Sequence, residues 1–512
     1  MNYVDSAYLP LVALIVLPLV GGVIVALLPK GNPTLAKQVT FLWSLLVLAL
    51  GVLVATAFDP SAAGTFQLTS SWEWIPAWGV SFSLGVDGIS LVLILMTAVL
   101  VPVCILAGWA DADHTTSARG YFAWILVLEG LVLGVFAATD VFLFYVLFEA
   151  MLIPMYFLIG RYGGPQRQYA AVKFFLYSLA GGLLMLVALV GLWVVSADQL
   201  GSGTFDYTAL VGLDIDPVLQ RWLFLGFFLA FAIKAPLWPL HTWLPDAAAE
   251  APPSSSVLLV GVLDKVGTFG MLRLCLPLFP EASDYFTPMV IVLSVIGIVY
   301  GALLAIGQTD LKRLIAYTSV SHFGFIALGI FAMTSQGQSG ATLYMVNHGF
   351  SIAALFLLVG FMATRRGSRM VADFGGVQKV APVLAGLFLV AGLSSLALPG
   401  LSSFVSEFLV LAGTFTRYPI VAVIATTGIV LAALYILLMY QRTMTGPVRE
   451  GVEGMPDLRV REVVAIAPVI AIIIALGFFP QPVLNVINPS VEQTMSVVGA
   501  TDPVPAIAES GK

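Results

Sequence analysis

Charge is what this chain most lacks. Asp, Glu, Lys and Arg supply 10% of its 512 residues and hydrophobic types 60%, a balance that excludes a soluble domain of this size, whose surface would need far more charge. Cysteine is nearly absent too. Cys104 and Cys275, the only two, lie in apolar runs with neither the neighbours nor the spacing of a metal or iron–sulfur site. No Gly-rich dinucleotide fingerprint follows a strand-like run, and a net charge of −6 on so apolar a chain gives no footprint for nucleic acid. The sequence therefore offers no electron path. In a redox machine such a chain would perform the part that is not redox, and it should carry no cofactor of its own.

What the chain has is apolar length. Fourteen runs of about 20 residues recur, at 8–28, 38–58, 88–109, 118–138, 140–160, 170–195, 220–243, 255–279, 287–307, 311–333, 341–363, 381–413, 419–442 and 461–480. Each can cross a bilayer as a helix, so the expected fold is an all-α polytopic membrane protein. The first run is too long for a signal-peptide core and no basic segment precedes it, so it reads as a retained span. With that span starting on the outer side, sixteen lysines and arginines fall in inner loops and four in outer ones. That bias predicts an even number of spans with both termini outside.

Spans four to eight and nine to thirteen form two blocks of five, and an odd block length turns the second copy upside down relative to the first. The expected segments are 1–117, with three helices and an outer hairpin; 118–286 and 287–445, the two five-helix repeats; and 446–512, the last helix and tail. One offset of 173 residues carries Glu149 onto His322 and Lys234 onto Glu407. Two spans, the seventh and the twelfth, are interrupted. FAIKAPLWPLHTWLPDAAAEAPP from Phe231 contains Pro236, Pro239 and Pro245, and LSSLALPGLSSFVSEF from Leu393 contains Pro399 and Gly400. Broken helices at membrane depth are tolerated where the freed backbone lines a cavity or is buried in protein, which points to conduction. Residues 65–88 alternate and hold three tryptophans, as an interfacial hairpin would. The acidic stretch from Ser196 to Pro217 reads as a solvated loop, and the tail after Pro489 as disordered.

Against this background a few ionisable residues stand out, because a charge in hydrocarbon costs about 2.5–3.5 kcal/mol even on a lenient scale and needs a partner and a task. Glu149 lies midway along DVFLFYVLFEAMLIPMYFLIG, and Lys234 immediately precedes the break at Ala235-Pro236. Paired, they would act as a switch, since moving or hydrating one changes the other's hold on its proton. Lys265 follows one span later, with Asp264 about 100 degrees away around the helix; that acid either joins a hydrophilic file or neutralises a packing neighbour. His241, His322 and His348 fall in the interrupted region and the second block. Imidazoles there suit proton relay, although His241 equally suits holding the break together. Glu407 follows the second break as a last station. Lys173, at the start of the sixth span, is explained as well by snorkelling to the interface.

These segments resemble the antiporter-like membrane subunits of respiratory complex I over essentially the whole chain. The resemblance is carried by DVFLFYVLFEAMLIPMYFLIGRYGG from Asp140, FAIKAPLWPLHTWLPDA from Phe231, SVLLVGVLDKVGTFG from Ser256, DLKRLIAYTSVSHFG from Asp310 and LPGLSSFVSEF from Leu398. It implies a proton channel in a bacterial inner membrane, driven by redox chemistry in partner subunits that hold FMN, iron–sulfur clusters, NADH and quinone, with two antiporter-like paralogues among its neighbours. Glu149 and Lys234 match the family's coupling pair, Lys265 its bridging lysine, His322 and His348 its central axis, and Glu407 its outer-half residue. An acid at that last place, and no long lateral helix after the last span, set the chain apart from its sisters. Ala248, where histidine is frequent, and Asp264, where an aliphatic residue is usual, are departures. A sodium/proton antiporter module, a membrane-bound hydrogenase arm and a purely structural spacer are the competing readings.

Overall fold

The computed structural model describes residues 7–29, 31–113 and 117–503; Lys30, Lys512 and both chain ends, which the expected topology invokes, lie outside these residues. Among the described residues twelve helices are long and apolar enough to cross a membrane, the first Leu9–Leu27 and the last Val460–Phe478. Two compact units divide the chain. One holds the described residues up to Ala235 together with Glu250–Ala282, and the other holds Pro236–Ala249 and the described residues from Ser283 onward.

In the first unit one hairpin joins the helices, as the alternation from Thr65 predicts. Strands β1 (Gln67–Ile75) and β2 (Val80–Val86) pair antiparallel. Gly79 turns the chain between them at φ 64°, and a Cβ there would meet the Gly203 carbonyl. Trp72, Trp74 and Trp78 are exposed, as suits rings seated at a membrane–water boundary.

Three local departures from plain helix shape this unit. The fifth span, expected to be continuous, is two helices, Val141–Ala150 and Leu152–Tyr162, meeting at Met151. Pro154 explains the joint: it has no N–H for the Ala150 carbonyl, and its ring crowds that carbonyl. Next, helix Pro217–Lys234 ends on Lys234, and helix resumes only at Trp243–Glu250. Pro245 does not contribute to that break; it lies in the first turn of the resumed helix, where a missing N–H costs nothing. Finally, the eighth span alternates between α and π winding, with π segments at Leu258–Leu263 and Met271–Cys275 around the α turn Lys265–Gly270. The Asp264 amide reaches five residues back to Leu259 O at 3.0 Å. Such wide turns gather at functional sites.

The acidic stretch before Pro217 is not simply solvated. Asp206 caps helix Tyr207–Val211 and Asp216 caps helix Pro217–Lys234, each accepting from backbone amides of the first turn.

In the second unit, helix Ser335–Arg366 is the axis, buried along its length and packed against Leu311–Phe331, Pro382–Ser395, Ser402–Arg417, Val460–Phe478 and Gln481–Val498. The twelfth span breaks between Ser395 and Ser402 as expected, with Ala397 at φ 60° and Gly400 at φ 92° carrying the chain through left-handed backbone. Beyond Pro489 the expected disorder is corrected: helix Gln481–Val498 runs through that proline. Its buried residues, Ile487, Ser490, Val491, Thr494 and Met495, recur at three- and four-residue steps, the stripe of an amphipathic helix.

Close approach within the first unit rests on Gly267. A Cβ on it would stand 2.6 Å from Ala235 N and 2.7 Å from Phe231 O, so only glycine lets the eighth span press on the end of Pro217–Lys234. Gly267→Ala is expected to destabilise the chain by about 1–3 kcal/mol through overpacking, read as a lower thermal unfolding midpoint in detergent. Gly386→Ala, which meets nothing within 4 Å, should leave that midpoint unchanged, and equal midpoints for both variants would refute the contact's importance.

Candidate functional site

The unusual helix ends place the ionisable groups. In the first unit Lys234 is fully buried and ends its helix. Its Nζ has no hydrogen-bond partner and stands 5.0 Å from the Phe148 ring centre and 5.4 Å from that of Phe174. Cation–π attraction of this kind offsets part of a buried ammonium's desolvation without fixing it to one acceptor. The carboxylates whose fields reach Lys234 are Glu149 first and Asp264 second. Glu149 lies in the last turn before the Met151 joint, against Gly182 of helix Arg167–Leu200, where a Cβ would fall 1.6 Å from its Oε1. That oxygen is buried with no hydrogen-bond partner. Glu149 and Lys234 are thus electrostatic neighbours held short of a locked ion pair.

Lys265 is also fully buried, and its Nζ donates to Val260 O, within the first π segment, at 2.6 Å. Neighbouring Asp264 is fully buried with both carboxylate oxygens lacking a hydrogen-bond partner, and the charges acting on it are Lys265 and then Lys234. The first unit therefore brings Glu149, Lys234, Asp264 and Lys265 into one electrostatic group. Lys173 is half-buried, its ammonium 5.6 Å from the Tyr169 ring centre near the start of its helix, a placement that fits snorkelling.

The second unit gathers a different chemistry. The His322 and His348 rings stand edge to face with centres 5.2 Å apart. His322 Nε2 lies 3.4 Å from the Tyr435 hydroxyl and its ring 5.8 Å from that of Tyr344, whose hydroxyl donates to Glu407 Oε2 at 2.9 Å. Glu407 is buried in the half-helix after the break. Hydroxyls surround that break: Asn347 Nδ2 donates to Ser402 O at 2.6 Å and to Ser406 Oγ at 3.1 Å, and the Ser351 hydroxyl lies 2.7 Å from that of Ser394 and 3.2 Å from that of Ser403. His241, near the first break, packs on the rings of Tyr300 and Tyr317, centres 5.3 and 6.4 Å away. It joins that aromatic contact rather than the His322–His348 pair.

Several members of these groups escape sequence reasoning. Tyr344 and Tyr435 look like ordinary aromatic residues of apolar helices, and no local pattern marks them. Phe148 and Phe174 are equally silent. Glu129 is a different case. It stands alone in the apolar run FAWILVLEGLVLG, the same signal that marks Glu149, and in the structure it is buried with both carboxylate oxygens unpartnered.

The arrangement is a set of ionisable groups, most of them buried and few locked by a strong partner, with Glu149, Lys234, Lys265 and Glu407 close to changes in helix winding. Comparison with known proteins agrees in kind. Residues 138–432 match the family described as NADH:quinone oxidoreductase/Mrp antiporter, transmembrane. The chain is 53% identical to NADH-quinone oxidoreductase subunit M of Mycobacterium tuberculosis (strain ATCC 25618 / H37Rv), over 96% of this chain and 95% of that one. It is 41% identical to subunit M of Rhodobacter capsulatus, over 93% and 94% of the two chains. A chain in the structure of respiratory complex I from Thermus thermophilus with bound NADH overlays it with a TM-score of 0.87 and 32% identity, covering 96% of this chain and 100% of that one. This chain belongs to the NADH:quinone oxidoreductase/Mrp antiporter family of membrane proteins, in its subunit M group.

Proposed function

We propose that this chain moves protons outward across a bacterial inner membrane as the antiporter-like subunit of an NADH:quinone oxidoreductase. The observation that carries the proposal is Lys234: a fully buried ammonium at the end of a broken helix, without a hydrogen-bond partner, in the field of a carboxylate at a second helix joint. Flavin, iron–sulfur, NADH and quinone chemistry belongs to partner subunits in this reading, and the chain's neighbours in the membrane arm include two antiporter-like paralogues. Fourteen crossings follow if the segmented spans 253–278 and 382–417 join the twelve already described, with the two five-helix repeats inverted and both termini outside.

In this mechanism Glu149 and Lys234 form the switch. While Glu149 stands close, the ammonium is stabilised and Lys234 holds its proton; when a conformational or electrostatic change in a neighbouring subunit draws Glu149 away, only the smaller influence of Asp264 opposes desolvation and the proton leaves. Lys265 takes and releases the next proton, with Asp264 as counter-charge. His322 and His348 relay as imidazoles, accepting on one ring nitrogen and donating from the other, and Glu407 is the last holder, its Tyr344 hydrogen bond steadying the ionised form.

Lys234→Ala and Glu407→Gln should each reduce NADH-driven proton pumping in membrane vesicles, and undiminished flux would remove these roles. Sodium-dependent transport in the same vesicles would instead place the chain with cation/proton antiporters. Gly182→Ala tests the switch geometry. The three atoms nearest its Cβ all belong to the carboxyl end of Glu149, so pumping should fall while the thermal midpoint stays near wild type; a shifted midpoint with full pumping would refute the assignment.

A further inference from the structure

The first unit holds a second group of buried polar residues that this switch does not use. Glu129 lies in the middle of helix Ala118–Ala137, 1% exposed, with neither carboxylate oxygen hydrogen-bonded. Two turns earlier on the same helix, the fully buried Tyr121 has its hydroxyl 3.0 Å from Ser254 Oγ and 2.9 Å from Ser255 Oγ. Ser254 Oγ donates to Asp111 Oδ2, and the Tyr121 hydroxyl lies 3.5 Å from that oxygen. Gly108 leaves room for the contact, since a Cβ there would stand 2.1 Å from Ser254 Oγ. Buried Cys104 lies within the fields of both Asp111 and Glu129, so the two acids flank one stretch of the unit. Asp111 is half-buried, and the next two residues, Ala112 and Asp113, line an open polar groove of about 720 Å³ with Lys37, Arg119 and Arg161.

The order from surface to interior is groove, half-buried acid, buried hydroxyls, buried acid. A structural tie between helix ends would account for the hydroxyls alone. It leaves Glu129 unexplained, because an ionised carboxylate without a partner costs several kcal/mol in such surroundings and a permanently neutral one serves no tie. Serines 254 and 255 also open the helical run that carries Asp264 and Lys265, and the helix of Glu129 packs against its Lys265–Gly270 turn.

We propose that Glu129 is a further proton-holding residue of the first unit, loaded from the groove through Asp111, Ser254 and Tyr121. The proposal rests on the proton-translocating reading above. A proton from groove water adds to the Asp111 carboxylate. Asp111 then gives it to Ser254 Oγ as Ser254 passes its own to the Tyr121 oxygen, and the Tyr121 O–H proton leaves inward. Each hydroxyl ends with the proton count it began with. The remaining rise along the helix, about 12 Å over the eight residues from Tyr121, is crossed on water to the Glu129 carboxylate, which becomes the acid and supplies Lys265.

The test uses membrane vesicles holding the assembled complex, with protons pumped per NADH oxidised as the readout and Lys234→Ala as reference. Glu129→Gln is expected to oxidise NADH yet lose most of its pumping and a protonated-carboxyl band in infrared difference spectra; Glu129→Asp should restore both. Full pumping in Glu129→Gln beside a defective Lys234→Ala overturns this inference and leaves the proposed function standing, whereas full pumping in Lys234→Ala overturns the function itself. A defect that Glu129→Asp does not restore marks a structural role and also overturns the inference. Should Glu129→Gln fail to assemble, Tyr121→Phe decides: reduced pumping supports the route, and full pumping refutes it.

Discussion

A buried ammonium without a fixed acceptor is the constraint on which the rest of this structure depends. In a low-dielectric interior an ion is stable only while opposite charge or oriented dipoles stand near it, and it loses its charge when they withdraw. Lys234 has no hydrogen-bonded partner, two aromatic faces and two carboxylates acting from a distance. A tight salt bridge would have made its charge permanent, and an all-apolar box would have kept it neutral. The observed surroundings do neither, so in the proposed switch the position of Glu149 sets the balance.

The helix interruptions follow from the same need. A continuous helix satisfies all its backbone groups and keeps every side chain at a set radius and angle, which leaves little freedom for a switch. At the Met151 joint, after Lys234 and through the π turns around Lys265, the winding changes beside the ionisable residue. Freed backbone groups then join the polar chemistry directly, as Val260 O does in accepting from Lys265. In the second unit the Ser395–Ser402 break does so through hydroxyls and the Asn347 amide, one turn or two from Glu407.

Legibility from sequence tracks physical cause. The long spans can be read because hydrocarbon demands some twenty apolar residues whatever the tertiary context, and the proline breaks because a missing N–H acts locally. Lone charges in apolar runs can be read for the same reason, and Glu129 was as visible on that ground as Glu149. The Met151 joint escapes sequence reasoning although Pro154 lies beside it, since a proline in the first turn of a second helix looks like one tolerated inside a single helix. Helix Gln481–Val498 was hidden by Pro489, although its buried stripe steps by three and four. Tyr344, Tyr435 and the phenylalanines around Lys234 could not be read at all. Their roles exist only through contacts with residues far away in the chain.

The two units, each taken by itself, differ in a way that suits different tasks. Around Lys234 the first unit sets two lysines, Lys234 and Lys265, beside two acids, Glu149 and Asp264, so that group can be neutral overall. Asp264 matters here as a departure from the family pattern: fully buried and with both oxygens unpaired, it is shared by the fields of Lys265 and Lys234. In the proposed switch, drawing Glu149 away leaves the two lysines with one neighbouring counter-charge, which favours release of a proton. The second unit holds imidazoles, phenols and serines around a single acid, groups that accept and donate without a large change in charge. In the proposed mechanism the charge-balanced group serves as the loading step, and a mostly neutral file is what a released proton can cross at low cost.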